Sequence, residues 1–217
     1  MCGFTPQRST SDAAMAVNEF VEEGLAAGEI TVLISLDVKG AFDAAWWPSI
    51  LNGLKAYNCP RKLYNLSNSD FSQRTAVLSS NNISIKRKVT KGYPQESCCG
   101  PRYWNILYNS LLNIKFTKSS KAVAFADYLI LAIRNETIRA AENISNIEMS
   151  KITAWSGNNK INFNEDKSRV TKISRRKRKE NKEINIYLNN KPLQQVSRMK
   201  YLGIVIDDKF KFSKHIS

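Results

Sequence analysis

The sequence predicts an α+β fold in which an antiparallel sheet is covered by helices. Three observations carry this expectation. Short β-prone apolar runs alternate with amphipathic stretches, but without the strict β-α-β order of a parallel sheet. Hydrophobic residues make up 42% of 217 positions, with only 9 Gly and 6 Pro, which suits one well-buried core. No repeat, low-complexity tract or long internal linker divides the chain.

Ser9 and Asp12 have capping-box spacing, and Ala13, Val17, Phe20, Val21 and Leu25 recur at helical intervals before Gly28, so a first amphipathic helix is expected there. Ile30 to Asp37 reads as a strand, with Val32, Ile34 and Leu36 on one face and Thr31, Leu33, Ser35 and Asp37 on the other. Helices are predicted over Trp46 to Tyr57, with Pro48 in the first turn, and over Arg61 to Asn68 after Pro60. Thr75 to Leu78 and Ile83 to Val89 form a hairpin pattern around a polar tip. The turn-rich stretch Lys91 to Pro101 opens a helix that runs to about Ile114.

Ala122 to Ile133 contains two apolar runs broken at Asp127-Tyr128, the pattern of a tight hairpin with the aspartate at its tip. A long helix follows, with Ile138, Ala141, Ile144, Ile147, Ile152 and Trp155 as its buried side and Gly157-Asn158-Asn159 as its end. Val170 to Ser174, Ile184 to Leu188 and Tyr201 to Ile206 read as further strands. Between the first two lies Arg175-Arg176-Lys177-Arg178-Lys179.

Lys and Arg number 33 against 19 Asp and Glu, a net charge of +14 that favours a polyanionic partner, nucleic acid first. Cys2, Cys59, Cys98 and Cys99 contain no C-x-x-C pair, and His215 is the single histidine, which excludes an ordinary zinc ribbon or knuckle. Reduced thiols, no signal peptide and no apolar window of membrane length predict an intracellular chain, nuclear or cytoplasmic, that is neither secreted nor membrane-bound. Asp37 and Asp127 each stand at the end of an apolar run. Side by side, two such carboxylates would hold a divalent metal. Taken singly, Asp37 ends a strand and Asp127 sits in a turn.

Five blocks stand in a telling order. They are Asp37-Val38-Lys39-Gly40-Ala41-Phe42-Asp43, Gly92-x-Pro94-Gln95-x-Ser97-x-x-Gly100-Pro101, Phe125-Ala126-Asp127, Asn164-x-x-Lys167-Ser168 and Lys200-Tyr201-Leu202-Gly203. Together they resemble the palm motifs of a reverse transcriptase from a non-long-terminal-repeat retrotransposon, of the arthropod jockey-like kind. Gly3 to Thr10 resembles a fingers motif of the same family.

The resemblance implies a polymerase palm with part of the fingers: residues 1–29 and 60–91 fingers-like, 30–59 and 92–206 palm. It implies an RNA-directed DNA polymerase that joins deoxynucleoside triphosphates to a DNA primer on an RNA template. Two Mg2+ ions, or Mn2+ in their place, would assist the transfer. Asp37 and Asp127 would be the catalytic metal ligands. Phe42 would lie beneath the incoming sugar and exclude a 2'-hydroxyl, or serve as a core aromatic. Asp43 belongs to the motif without an assigned ligand role, and a helix cap suits it equally. Gln95 would contact nucleotide or template, and Gly100-Pro101 would start the helix that supports the template. Lys167 would approach the triphosphate, or remain a solvated surface lysine. Tyr201, Leu202 and Gly203 would form the primer grip, or a core strand ending in a glycine turn. The basic run from Arg175 would contact phosphates, direct nuclear import, or form an exposed loop.

Two residues depart from the family. Glu96 replaces a glycine after Gln95, adding a Cβ and a negative charge near a triphosphate. Tyr128 stands where the family carries a second carboxylate, and its phenol is neutral near pH 7. Weak or absent catalysis is the expectation. The alternative is a catalytically dead remnant that acts as a nucleic-acid-binding module. The chain also reads as a fragment of a longer polyprotein, with no thumb, and low processivity is expected of it.

Overall fold

A computed structural model describes residues 8–80, 83–94, 97–175 and 183–210 of the chain. In order it forms α1 (Thr10–Ala26), β1 (Ile30–Asp37), α2 (Ala41–Ala44), α3 (Trp47–Ala56) and α4 (Arg61–Phe71). The hairpin β2 (Thr75–Ser80) and β3 (Ile83–Lys88) follows, then α5 (Gly100–Leu112), β4 (Ser120–Phe125), β5 (Tyr128–Asn135) and α6 (Ile138–Asn159). The rest comprises β6 (Arg169–Ile173), β7 (Tyr187–Leu188), β8 (Lys191–Pro192), β9 (Gln194–Gln195), β10 (Arg198–Tyr201) and β11 (Ile204–Asp207).

The main sheet has the order β4-β5-β1-β6-β9. Its central strand β1 is antiparallel to β5, from Ile30 opposite Asn135 to Asp37 opposite Tyr128, and antiparallel to β6 on the other side. Among the described residues only the short edge pair of β6 with β9 is parallel. Every residue of β1 is buried, because both faces of the sheet are covered. Ile30, Val32, Ile34 and Leu36 enter the larger core with α3, α5 and α6, while Leu33 enters a second core beneath α1 and the β10–β11 hairpin. Burying an aliphatic side chain of this size contributes about 1.5–3 kcal/mol, so these two layers fix the strand register that delivers Asp37 to the sheet's end.

The Ser9 capping box forms as expected, with Ser9 N–H donating to Asp12 Oδ2 at 2.6 Å and Asp12 N–H to Ser9 Oγ at 3.3 Å. Arg134 then pins α1 to the sheet, pairing with Glu23 at 2.8 Å and lying 4.7 Å over the Phe20 ring.

Four elements differ from expectation. On α6, Ile147 is exposed, and Ser145, Glu148 and Met149 are buried with Ile138, Ala141, Ile152 and Trp155. Steps of three residues cover about 300°, so a row spaced 138, 141, 144, 147 rotates off the buried face, whereas mixed steps of three and four stay on it. The buried Glu148 accepts from Thr117 N–H at 2.9 Å through Oε1 and forms an ion pair with Lys151 Nζ at 2.7 Å through Oε2. Helix α6 ends at Asn159, within the expected Gly157-Asn158-Asn159 run, where Lys160 turns left-handed, at φ +54°. Ile184 and Ile186 are buried without ladder partners, leaving only Tyr187–Leu188 as strand. The run from Tyr201 to Ile206 is a hairpin, since Leu202 and Gly203 have φ of +48° and +85° and reverse the chain. Helix α4 reaches Phe71, which stacks on Trp47 at 5.3 Å. Of the basic run, Arg175 pairs with Glu22 at 3.1 Å, and the remainder lies outside the described residues. Among the described residues no helix is long and apolar enough to cross a membrane.

Candidate active site

Strand register builds the site. Residue Asp37 ends β1 opposite Tyr128, which begins β5, and the two-residue turn Ala126-Asp127 joins β4 to β5 between the paired Phe125 and Tyr128. Ala126 takes a left-handed φ of +51°, a conformation that a non-glycine residue adopts at a cost, and the Trp104 indole N–H secures it by donating to the Ala126 carbonyl at 2.8 Å. Trp104 itself is fully buried on α5. Both aspartates therefore hang from rigid elements.

They line one cavity of about 360 Å3, together with Phe42, Trp104, Tyr128 and Lys167. Burial pushes the Asp37 carboxyl above its usual value, Lys167 pulls it down, and the charge of Asp127 pushes it up again. The Lys167 ammonium stands 3.8 Å from Asp37 Oδ2, yet its side chain is 71% exposed. It is both a solvated lysine and a cation at the rim. Such a loose, wet pair is worth under about 1 kcal/mol and leaves the lysine able to turn to an anionic ligand.

Phe42 packs at the edge of the larger core, 5.3 Å from the Tyr93 ring and 6.4 Å from that of Trp104, and also lines the cavity, so its two sequence readings are compatible. Asp43 lies in the first turn of α2 rather than at its N-cap, which is Gly40. The Gly100-Pro101 pair starts α5 as expected. Gln95 and Glu96 lie outside the described residues.

The expected primer-grip residues separate. Leu202 and Gly203 line a second cavity of about 580 Å3 that shares Asp37, Tyr128 and Lys167 with the first. Tyr201 faces away, 1% exposed, into the core beneath α1. Alternation along β10 explains this, because Met199 and Tyr201 are buried while Arg198 and Lys200 are exposed.

Two features escaped sequence reasoning. Trp104 reads as an ordinary core residue on a helix face, and nothing local marks its bond to the turn. The turn at 164–168 is held by an ion pair of Lys39 Nζ with Glu165 Oε2 at 2.8 Å, by Asn189 donating to Glu165 Oε1 at 2.7 Å, and by Asn164 N–H donating to the Asp37 carbonyl at 2.7 Å. These join residues far apart in sequence. The bonds from Lys39 and Asn189 hold the Glu165 carboxyl down at about 2. A depressed carboxyl stabilises the fold above its unfolded value of 4.5, and that contribution fades as pH falls from there towards 2. Glu165→Gln is expected to shift the acid limb of the unfolding curve less steeply with pH than the unaltered chain, as read by thermal melts between those limits.

The donor set suits a hard divalent cation. Two carboxylates on rigid elements, one raised by burial beside the other's charge, suit a divalent cation whose shell is completed by water and phosphate oxygens. Asp43 lines the same cavity, but among the described residues no third carboxylate, histidine or cysteine completes a metal-holding group with them. The Tyr128 phenol occupies that side, raised by burial and by both aspartates and hence neutral.

The chain has relatives among known proteins. The family model described as "Reverse transcriptase (RNA-dependent DNA polymerase)" matches residues 1–206. A putative 115 kDa protein of a type-1 retrotransposable element of Drosophila melanogaster is 28% identical over 215 residues, covering 99% of this chain and 20% of that protein. The RNA-directed DNA polymerase from mobile element jockey of the same species is 25% identical over 221 residues, covering 99% of this chain and 24% of its own length. This chain thus spans about a fifth to a quarter of these relatives. In architecture it is similar to an apo telomerase from Candida tropicalis lacking its C-terminal domain, with a TM-score of 0.64 at 13% identity, covering 92% of this chain and 38% of that one.

Proposed function

The chain belongs to the reverse transcriptase family of RNA-dependent DNA polymerases, and from that premise we propose that it is the catalytic palm, with part of the fingers, of a non-long-terminal-repeat retrotransposon polymerase. The observation that carries this reading is the convergence of Asp37, Phe42, Asp127 and Lys167 on one cavity, although 90 residues (127 − 37) separate the two aspartates. Residues 1–29 and 60–91 are assigned to the fingers and 30–59 and 92–206 to the palm.

The substrates are a DNA primer, an RNA template and deoxynucleoside triphosphates. Asp37 and Asp127 would hold divalent metal, Mg2+ or Mn2+ in its place. The chemistry such a cation would supply there is a more acidic primer 3'-hydroxyl and neutralised charge on the departing pyrophosphate. The protein's own groups do the positioning. Phe42 offers a ring face beneath the sugar and leaves no room for a 2'-hydroxyl. Lys167 swings from Asp37 towards the phosphates and offsets the negative charge that builds on the leaving group. Tyr128 supplies no carboxylate, so this copy works slowly. That same phenol favours a second reading, a module that binds primer and template without chemistry.

Extension of a DNA primer on an RNA template tests the proposal. Slow, metal-dependent incorporation of deoxynucleotides by the unaltered chain is expected, with ribonucleotides rejected. Primer-template binding with no incorporation in either metal would select the binding module, and no binding at all would defeat both.

A further inference from the structure

Tyr128 does more than remove a carboxylate. It belongs to the walls of both cavities and is 39% exposed, an unusual position for a large aromatic at a hairpin tip. The second cavity runs from its ring across to Arg169, Arg198, Lys200, Leu202 and Gly203. Arg198 and Lys200 project from the same solvent face of β10, two residues apart. Arg169 donates to the backbone carbonyl of Ser168 at 2.8 Å, which orients it. Among the described residues no carboxylate forms an ion pair with any of the three. Lys167, Arg169, Arg198 and Lys200 line this cavity against the one carboxylate of Asp37, with Asp207 opposite Arg198 in the hairpin. A groove of net positive charge ending at an aromatic face is the chemistry of a single strand's end: phosphates along the cations, a base or sugar against the ring.

We propose that Tyr128 is a stacking platform for the 3'-terminal nucleotide of a polynucleotide strand whose last phosphates lie over Arg169, Arg198 and Lys200. The inference rests on the polymerase reading and adds a residue that departs from the family. A carboxylate at this position would repel the neighbouring phosphates. The neutral ring removes that repulsion and adds apolar and π contact. The chain has exchanged part of its metal affinity for grip on the strand end.

The test is fluorescence anisotropy with a labelled DNA primer recessed on an RNA template, in metal-free buffer across a salt series. Tyr128→Ala and Tyr128→Leu are each expected to weaken binding about tenfold, and Tyr128→Phe to leave it within about twofold. None of the three should change the salt slope. Arg198→Gln and Lys200→Gln should each lower that slope by about one. A blunt duplex of the same sequence should show no Tyr128 effect. Full affinity in both Tyr128→Ala and Tyr128→Leu overturns the stacking assignment and leaves the polymerase reading in place. Equal loss in Tyr128→Phe also overturns it, because the hydroxyl would then carry the contact. Absence of binding by the unaltered chain overturns the polymerase reading itself.

Discussion

Tyr128→Asp is expected to raise the rate of nucleotide incorporation by about a hundredfold, equivalent to roughly 3 kcal/mol of transition-state stabilisation. The gain comes from a third hard oxygen donor beside Asp37 and Asp127. Asp37 and residue 128 are cross-strand partners, so a short side chain there reaches the same cation without any change of backbone. Little folding stability is at risk, because Tyr128 is partly solvent-exposed at the start of its strand. The new charge has a cost of its own. Asp37 is already raised by burial and by Asp127, and another carboxylate pushes it further, so the gain appears only with divalent metal present and grows with pH through the carboxylate range. Asp37→Asn in the Tyr128→Asp background is expected to abolish incorporation. Steady-state primer extension over a Mg2+ titration reads both. If the aspartate variant binds the cation more tightly but extends no faster, the slow step lies elsewhere, and adding Glu96→Gly tests the other departure. The same substitution should raise KM for primer-template, since it removes the ring proposed to stack on the strand end.

The sheet and the positions of the two aspartates were legible in the sequence because both depend on local pattern. Alternation fixed the faces of β1, and two apolar runs broken at Asp127-Tyr128 could only close as a tight hairpin. What stayed hidden depends on contacts between distant segments. The bond from Trp104 to Ala126 spans 22 residues and the pair Lys39–Glu165 spans 126, so neither has a sequence period to betray it. Helix α6 shows the same limit at shorter range. A polar Glu148 is buried because Thr117 N–H and Lys151 meet it, while the apolar Ile147 is left outside. The resemblance groups Tyr201 with Leu202 and Gly203, yet strand alternation turns its ring away from the groove that they line.

Gly92→Ala is expected to lower stability by about 3 kcal/mol and to impair the site as well. Gly92 has a φ of +79°, and a Cβ there would lie 2.9 Å from the Asp43 carbonyl oxygen, 3.1 Å from Asp43 Cα and 3.2 Å from the Phe42 carbonyl oxygen. All three are main-chain atoms, so no rotamer change relieves the contact. The segment is fastened on both sides: Gly92 N–H donates to the Ala45 carbonyl at 2.7 Å, the Trp47 indole N–H donates to the Gly92 carbonyl at 2.7 Å, and Tyr93 N–H donates to the Phe42 carbonyl at 3.2 Å. Relief must therefore move the backbone of Phe42 and Asp43, and Phe42 is the residue proposed to lie beneath the sugar. Gly28→Ala separates strain from collision. Its φ is +69°, but nothing lies within 4 Å of the added Cβ, so only the left-handed strain of about 1 kcal/mol should appear. Urea unfolding measures the two losses. In the Tyr128→Asp background, Gly92→Ala should also reduce discrimination against ribonucleotides, whereas Gly28→Ala should leave it intact. Equal destabilisation by the two would mean that the 92–93 segment moves freely against α2, and Phe42 would then owe its position to Trp104 and Tyr93 alone.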